Sequence, residues 1–206
     1  TEGLDLDRAG IRHDGKGLAV DRRLRTTAPG VFAIGDAIDA PHLTHVAAYH
    51  AGIVIRNALF RLPAKVDYRA LPWVTYTEPE LAQVGLTEEA ARQQHGGAGA
   101  LSILRWPFHE NDRAQTERET HGLVKVVATK KGKVLGASII GAHAGELIQT
   151  WGLMIQQEIP LKALAGMIAP YPTLGEASKR AAGSFFTPQL FSGKTRALVR
   201  FLKLFG

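Results

Sequence analysis

The sequence contains no cysteine, so it carries neither a disulfide nor a redox-active cysteine pair of its own, which says nothing about compartment. No apolar run approaches the about 18 residues that a spanning helix needs. No signal peptide opens the chain, so neither a membrane span nor export is expected. No Gly-x-Gly-x-x-Gly follows a strand-like run, which removes the usual phosphate loop for a dinucleotide. The histidines form no metal motif. His42, His45 and His50 lack the i, i+4 spacing of a helical pair, and His109-Glu110 is followed by Arg113 where a zinc helix would place its second histidine. No metal site is therefore expected. Acidic residues are absent beyond Glu176, where Lys179, Arg180, Lys194, Arg196, Arg200 and Lys203 together equal the whole net charge of +6. The rest of the chain is balanced, and no nucleic-acid partner is expected. With 45% apolar and 21% charged residues, the composition is that of an ordinary globular protein. At 206 residues it can bury a good core in one or two domains.

What is present is concentrated first in Val31-Phe32-Ala33-Ile34-Gly35-Asp36. Four consecutive apolar residues, set off by Thr26, Thr27 and the turn pair Pro29-Gly30, predict a strand buried on both faces of a parallel sheet. A helix is expected to open after it. Gly35 would let a ligand approach the backbone, and Asp36 would stand at the carboxyl end of the strand, where open α/β sheets bind their ligands. A carboxylate there can accept hydrogen bonds from sugar or ribityl hydroxyls. On Gly-Asp alone, a strand-end turn aspartate capping the next helix is the better explanation of the residue. The whole run from Thr26 to Asp36 is more specific. It resembles the second flavin-binding motif of the pyridine nucleotide-disulfide oxidoreductases, whose aspartate holds the ribityl chain of FAD.

The resemblance continues in order along the chain, over roughly residues 3 to 185. Leu43-Thr44-His45 resembles the family's segment beneath the flavin ring, where backbone N–H groups at a helix N-terminus suit the electron-rich edge of a reduced flavin. Tyr76-Thr77-Glu78-Pro79-Glu80-Leu81 with Val84-Gly85-Leu86-Thr87 resembles the entry to the dimerisation domain. Pro107-Phe108, Asn111-Asp112-Arg113-Ala114, Gly122-Leu123-Val124-Lys125, Leu135-Gly136, Ala144-Gly145-Glu146-Leu147-Ile148 and Pro172-Thr173-Leu174-Gly175-Glu176-Ala177 follow. The resemblance implies an FAD-dependent, homodimeric, cytoplasmic oxidoreductase. Its phosphate loops, NAD(P)H domain and redox disulfide would lie outside this sequence, which begins at Thr1. The chain is therefore expected to be a C-terminal fragment, inactive alone. A dimerisation module with no chemistry of its own is the alternative.

Three regions are expected. Residues 1–67 look like the C-terminal part of the FAD/NAD-binding region, with a short hairpin around Asp14-Gly15 and Lys16-Gly17 and a helix over Leu43–Arg61 ended by Pro63. Residues 68–190 look like the dimerisation domain, an α+β fold with an antiparallel sheet and flanking helices. Its strands are predicted at Trp73–Thr75, Leu101–Trp106, Leu123–Ala128 and Val134–Gly141, with a turn at Lys130–Lys133. Thr87 and Gly96 bound one helix, and Gly145–Glu158 forms another with an apolar stripe. Its apolar helix faces should exceed what one small domain covers, favouring a homodimer. Residues 191–206 read as a basic amphipathic tail. Its stripe is expected to pack on protein, with contact at an anionic membrane surface as the alternative.

Tyr171 and Glu176 bear on the chemistry. In the lipoamide and glutathione reductases of this family the matching segment begins His-Pro and reaches a glutamate five residues on. That histidine is the acid–base partner of the opposite subunit's disulfide, and the glutamate orients it. Here the glutamate position survives and tyrosine replaces histidine. A phenol with an ordinary pKa of about 10 cannot relay protons at neutral pH as imidazole does, but it can donate a hydrogen bond or hold a soft metal-bound species. Mercuric reductases also carry tyrosine here, although they usually add a C-terminal cysteine pair. Thr173-x-x-Glu176 is also a capping box, which alone could explain the carboxylate.

Overall fold

The computed structural model describes residues 1, 3–96 and 98–205. The chain divides into two compact units, Thr1–Tyr68 and Arg69–Gly206.

In the first unit, strands β1 (His13–Asp14) and β2 (Gly17–Leu18) form the expected short antiparallel hairpin. Asp14 steadies its turn, accepting from the Lys16 backbone N–H at 2.8 Å. The run Val31–Ile34 is not the buried parallel strand the sequence predicted. Its one ladder contact is an antiparallel bridge between Arg25 and Phe32, and Val31 and Ile34 stay exposed. A strand buried on both faces needs hydrogen-bonded neighbours on its edges. Among the described residues this unit offers only the two-residue hairpin and a parallel bridge from Leu18 to Ile38. Nor does a helix open at Asp36. Gly35–Ala37 is a single 3-10 turn, and helix α1 begins at Thr44 and runs to Ala58. It ends before Pro63: Arg61 turns the chain in the left-handed region at φ 53°, and Asn57 donates from Nδ2 to the carbonyls of Ile53 and Ala64. The small core gathers Ile11, Leu18, Leu24, Ala33, Ile38 and Ile53.

The second unit is the predicted α+β domain. Strands β3 (Pro72–Thr75), β4 (Glu80–Gly85), β5 (Leu101–Pro107), β6 (Leu123–Thr129) and β7 (Val134–Gly141) form one antiparallel sheet in the order β3-β4-β7-β6-β5. The Lys130–Lys133 turn joins β6 to β7, with Gly132 N–H bonded to the Thr129 carbonyl at 2.9 Å. Strand β4 was not anticipated, because Pro79 and Gly85 bound a short run with a polar residue at its centre. Gln83 is nevertheless buried and satisfied. It accepts from Ser138 Oγ across the ladder and donates to the Val84 and Gly85 carbonyls.

Helix α2 (Glu88–His95) is capped by Thr87, whose Oγ1 accepts from Ala90 N–H at 3.2 Å, and closes on Gly96 at φ 84°. Helices α3 (Asp112–Glu117), α4 (Ala144–Gln156), α5 (Leu161–Gly166), α6 (Glu176–Ser184), α7 (Thr187–Leu190) and α8 (Gly193–Leu202) follow. The apolar stripe of α4 is largely buried through Ile148, Trp151, Met154 and Ile155. Helices occupy both faces of the sheet rather than one. The alternation of β6 explains this: Val124, Val126 and Ala128 join the core with α4 and α6, whereas Val127 points the other way to meet Ala91 of α2.

Helix α2 covers only part of that second face. The in-register pair Leu81 and Ile140, with Trp73, remains 45%, 38% and 42% exposed. Surplus apolar surface thus lies on the sheet as well as on helices, where Leu153 of α4 is also exposed.

Candidate functional site

In the first unit the 3-10 turn and α1 are locked together. Gly35 has φ +58°, and a Cβ on it would sit 3.0 Å from the Ala47 Cβ, so the close approach requires glycine. The Gly35 N–H donates to Nδ1 of His50, which is fully buried, at 3.1 Å. An accepting Nδ1 places the ring proton on Nε2, which faces the Tyr68 hydroxyl at 2.6 Å. Burial pushes the His50 pKa down, consistent with this neutral ring. Sequence reasoning treated His50 only as a failed metal ligand. Its partners stand 15 and 18 residues away, at no spacing that a motif would show.

That lock leaves Asp36 exposed in the first turn of the 3-10 helix, its carboxylate making no hydrogen bond or ion pair among the described residues. Leu43 is the N-cap residue of α1, and no side chain caps this end. Thr44 and His45 are exposed beside it. The unit therefore presents a carboxylate and an uncapped helix start, a fitting pair for hydroxyls and an electron-rich ring edge. A groove of about 590 Å³ lies elsewhere in the unit, lined by Arg12, Arg25 and Thr26–Gly30.

In the second unit the Tyr171 hydroxyl, on a 69% exposed side chain, donates to Asp112 Oδ2 at 3.0 Å. That hydrogen bond, reinforced by the Asp112 charge and more weakly by Glu176, raises the phenol's pKa. The proton is aimed at Asp112, so the oxygen turned outward is an acceptor. Asn111, almost wholly buried, builds the site from beneath. Its Oδ1 caps α3 at Ala114 N–H (3.0 Å), and its Nδ2 donates to the Thr173 carbonyl (3.1 Å). Asn111 and Asp112 were read only as part of an ordered motif. The signal that could have found them is the Asn-x-x-Ala cap opening α3.

The expected capping box does not form. Thr173 Oγ1 donates to the Pro170 carbonyl at 2.9 Å, and Gly175 is the N-cap of α6 without a side-chain bond. The Glu176 carboxylate is thus left with no hydrogen bond or ion pair among the described residues. It lines a cleft of about 230 Å³ with Trp106, Glu110, Asn111, Asp112 and Arg180. The structure brings Tyr171, Asp112 and Glu176 into one polar cluster. Among the described residues no group of three or more His, Cys, Asp or Glu side chains could hold a metal ion.

Residues 71–182 match the pyridine nucleotide-disulphide oxidoreductase dimerisation domain, and residues 1–51 match the pyridine nucleotide-disulphide oxidoreductase family. The chain belongs to that family. Dihydrolipoyl dehydrogenase of Bacillus subtilis is 38% identical over 186 residues, covering 88% of this chain and 38% of the relative. Mercuric reductase of Staphylococcus aureus is 37% identical over 187 residues, covering 90% of this chain and 34% of the relative. Among solved structures, LpdA from Mycobacterium tuberculosis aligns with a TM-score of 0.83 at 32% identity, over 89% of this chain and 40% of that one. The chain therefore spans well under half the length of the relatives it matches.

Proposed function

We propose that this chain supplies the flavin-facing turn and the homodimer interface of an FAD-dependent NAD(P)H:disulfide-type oxidoreductase. The observation that carries the reading is the unpartnered Asp36 carboxylate beside the uncapped start of α1, held in place by the Gly35–His50 hydrogen bond. Asp36 would accept from ribityl hydroxyls, and the backbone at Leu43, Thr44 and His45 would face the pyrimidine edge of the flavin ring. Flavin, when bound, supplies the passage of electrons between nicotinamide and disulfide. NAD(P)H and the FAD phosphates would be held by segments outside this sequence, which has no Gly-x-Gly-x-x-Gly loop.

Tyr171 would meet the reacting sulfur or its substrate from across the dimer. Held by Asp112, it positions and accepts a hydrogen bond rather than shuttling a proton, and Glu176 keeps the cleft negative. The electron acceptor is thus expected to be one that needs no imidazole relay. The exposed pair Leu81 and Ile140, with Trp73, is the surface that would meet the second copy.

Asp36→Ala in the full-length gene product is expected to lower bound FAD while the dimer persists, and unchanged flavin content would overturn the assignment. The 206-residue chain alone should be colourless, because Asp36 contributes only a hydrogen bond or two of roughly 1 kcal/mol each. Stoichiometric flavin on the isolated chain would count against the division of labour.

A further inference from the structure

Among the described residues, the C-terminal helix α8 joins none of the hydrophobic clusters of the fold. Residues 196–205 are all exposed, Phe205 at 75%, and the stripe expected to pack on protein touches no core. Yet α8 is locally well specified. Ser192 Oγ accepts from Thr195 N–H at 3.2 Å, and Thr195 Oγ1 donates to the Gln189 carbonyl at 2.7 Å. A helix this short is marginal in water unless its apolar face is covered. The matched dimerisation domain ends at residue 182, before this helix begins.

Its two faces differ sharply. At about 100° per residue, Arg196, Arg200 and Lys203 fall within a sector of roughly 60°, and Leu198, Phe201, Leu202 and Phe205 within roughly 100° on the other side. Lys194 sits in the first turn, in line with the apolar stripe between Phe201 and Phe205. In a helix–helix seam with a second copy of the tail, that ammonium would be buried, and there is no acidic residue beyond Glu176 to pair with it. At a bilayer surface it snorkels to the headgroups instead. The same lack of acids leaves the polar face uniformly cationic, complementary to anionic lipid.

We propose that residues 193–205 are a membrane-surface anchor that lays Leu198, Phe201, Leu202 and Phe205 into the headgroup boundary of an anionic bilayer. It lies on the membrane and does not cross it, for among the described residues no helix is long and apolar enough to span. The inference does not rest on the redox reading.

The test is co-sedimentation of the intact chain with vesicles of phosphatidylcholine alone or mixed with phosphatidylglycerol. Binding should favour the anionic vesicles by about tenfold or more and weaken with salt. Arg196→Glu with Arg200→Glu, and separately Phe201→Ser with Leu202→Ser, should each cut it by about tenfold or more. Since these side chains are exposed, unchanged thermal melting of the variants should accompany the loss. Equal binding to both vesicle types, or binding unaltered by either variant, would overturn the proposal. So would tail-dependent self-association in sedimentation velocity without vesicle binding, which would assign the stripe to a second copy.

Discussion

Residues 1–68 and residues 69–205 place their motif residues by different means. The second unit hangs its elements on a five-stranded sheet whose ladders run through every strand from β3 to β5. Asn111, Tyr171 and Glu176 are then fixed by segments that pack on that sheet. The first unit has no such frame. It holds Gly35 and Asp36 through a backbone-to-imidazole hydrogen bond, a close glycine–alanine contact and the Leu18–Ile38 bridge to the small hairpin. Where a sheet does the positioning, loss of one side chain leaves the frame standing. Where a single buried histidine does it, the turn should depend on that residue and on its protonation.

The sharpest separation of the two units is an interface substitution. Ile140→Asp places a charge in the centre of the exposed apolar pair with Leu81, and it should weaken the dimer by about a hundredfold. Light scattering at micromolar concentration should then report monomer, whereas Asp36→Ala should leave the dimer intact. A dimer that survives Ile140→Asp would move the interface to another face.

His50→Ala is the corresponding test in the first unit, and about 2 kcal/mol of local stability is expected to go, from an unsatisfied Gly35 N–H and Tyr68 hydroxyl. Hydrogen exchange at the Gly35 amide is the readout, with β6 amides as the unmoved reference. The pH dependence has a definite sign. Burial lowers the folded pKa of His50 below 6.5, so its contribution is present above about pH 6.5 and is lost as pH falls through the lower folded value. Exchange that is flat across this range would show that the ring does not hold the turn.

The same contrast explains what the sequence revealed. The predicted strands of the second unit are there because their apolar residues alternate between the face packed by α4 and α6 and the face that α2 partly covers. Its missed strand, β4, hid a buried Gln83 whose partner, Ser138, only the ladder register supplies. In the first unit the apolar run Val31–Ile34 has the composition of a buried strand, but among the described residues it finds only the Arg25–Phe32 bridge to pair with. Hydropathy reports what a segment could bury, whereas pairing decides whether it does. At the candidate site, Asp36, Tyr171 and Glu176 were legible as motif positions. Asp112 as the holder of Tyr171, and the failure of the capping box at Thr173, depended on contacts made far along the chain.

Tyr171 allows the cluster in the second unit to be dissected at a smaller scale. Tyr171→Phe should lower turnover of the full-length enzyme by about tenfold with little change in melting, since the side chain is largely exposed. Asp112→Asn keeps the shape but removes the charge that raises the phenol's pKa, so tyrosinate absorbance should appear at lower pH. Turnover unchanged in both variants would reduce Tyr171 to surface packing. Tyr171→His should move activity toward dihydrolipoamide if a proton relay is all that is lacking.

The smallest effect is expected at Glu88, where the sheet frame is backed by charge. Its carboxylate meets Lys125 Nζ at 2.7 Å, Arg105 at 3.4 Å and Arg92 across one helical turn at 2.5 Å. Hydrogen bonds from Lys125 first and Arg92 second hold the Glu88 pKa down at about 2. A depressed carboxylate stabilises the fold above the ordinary value of 4.5, and this contribution disappears as pH falls from there toward about 2. Because the partners are partly solvated, water and salt screen most of the attraction, and Glu88→Gln should cost about 1 kcal/mol or less at neutral pH. Urea unfolding at pH 7 and pH 3 measures this directly: the gap between parent and variant should be largest at pH 7 and clearly smaller at pH 3, closing only toward pH 2. A gap that persists undiminished at pH 3 would mean that Glu88 acts by packing at the start of α2, and that the cationic trio contributes nothing measurable.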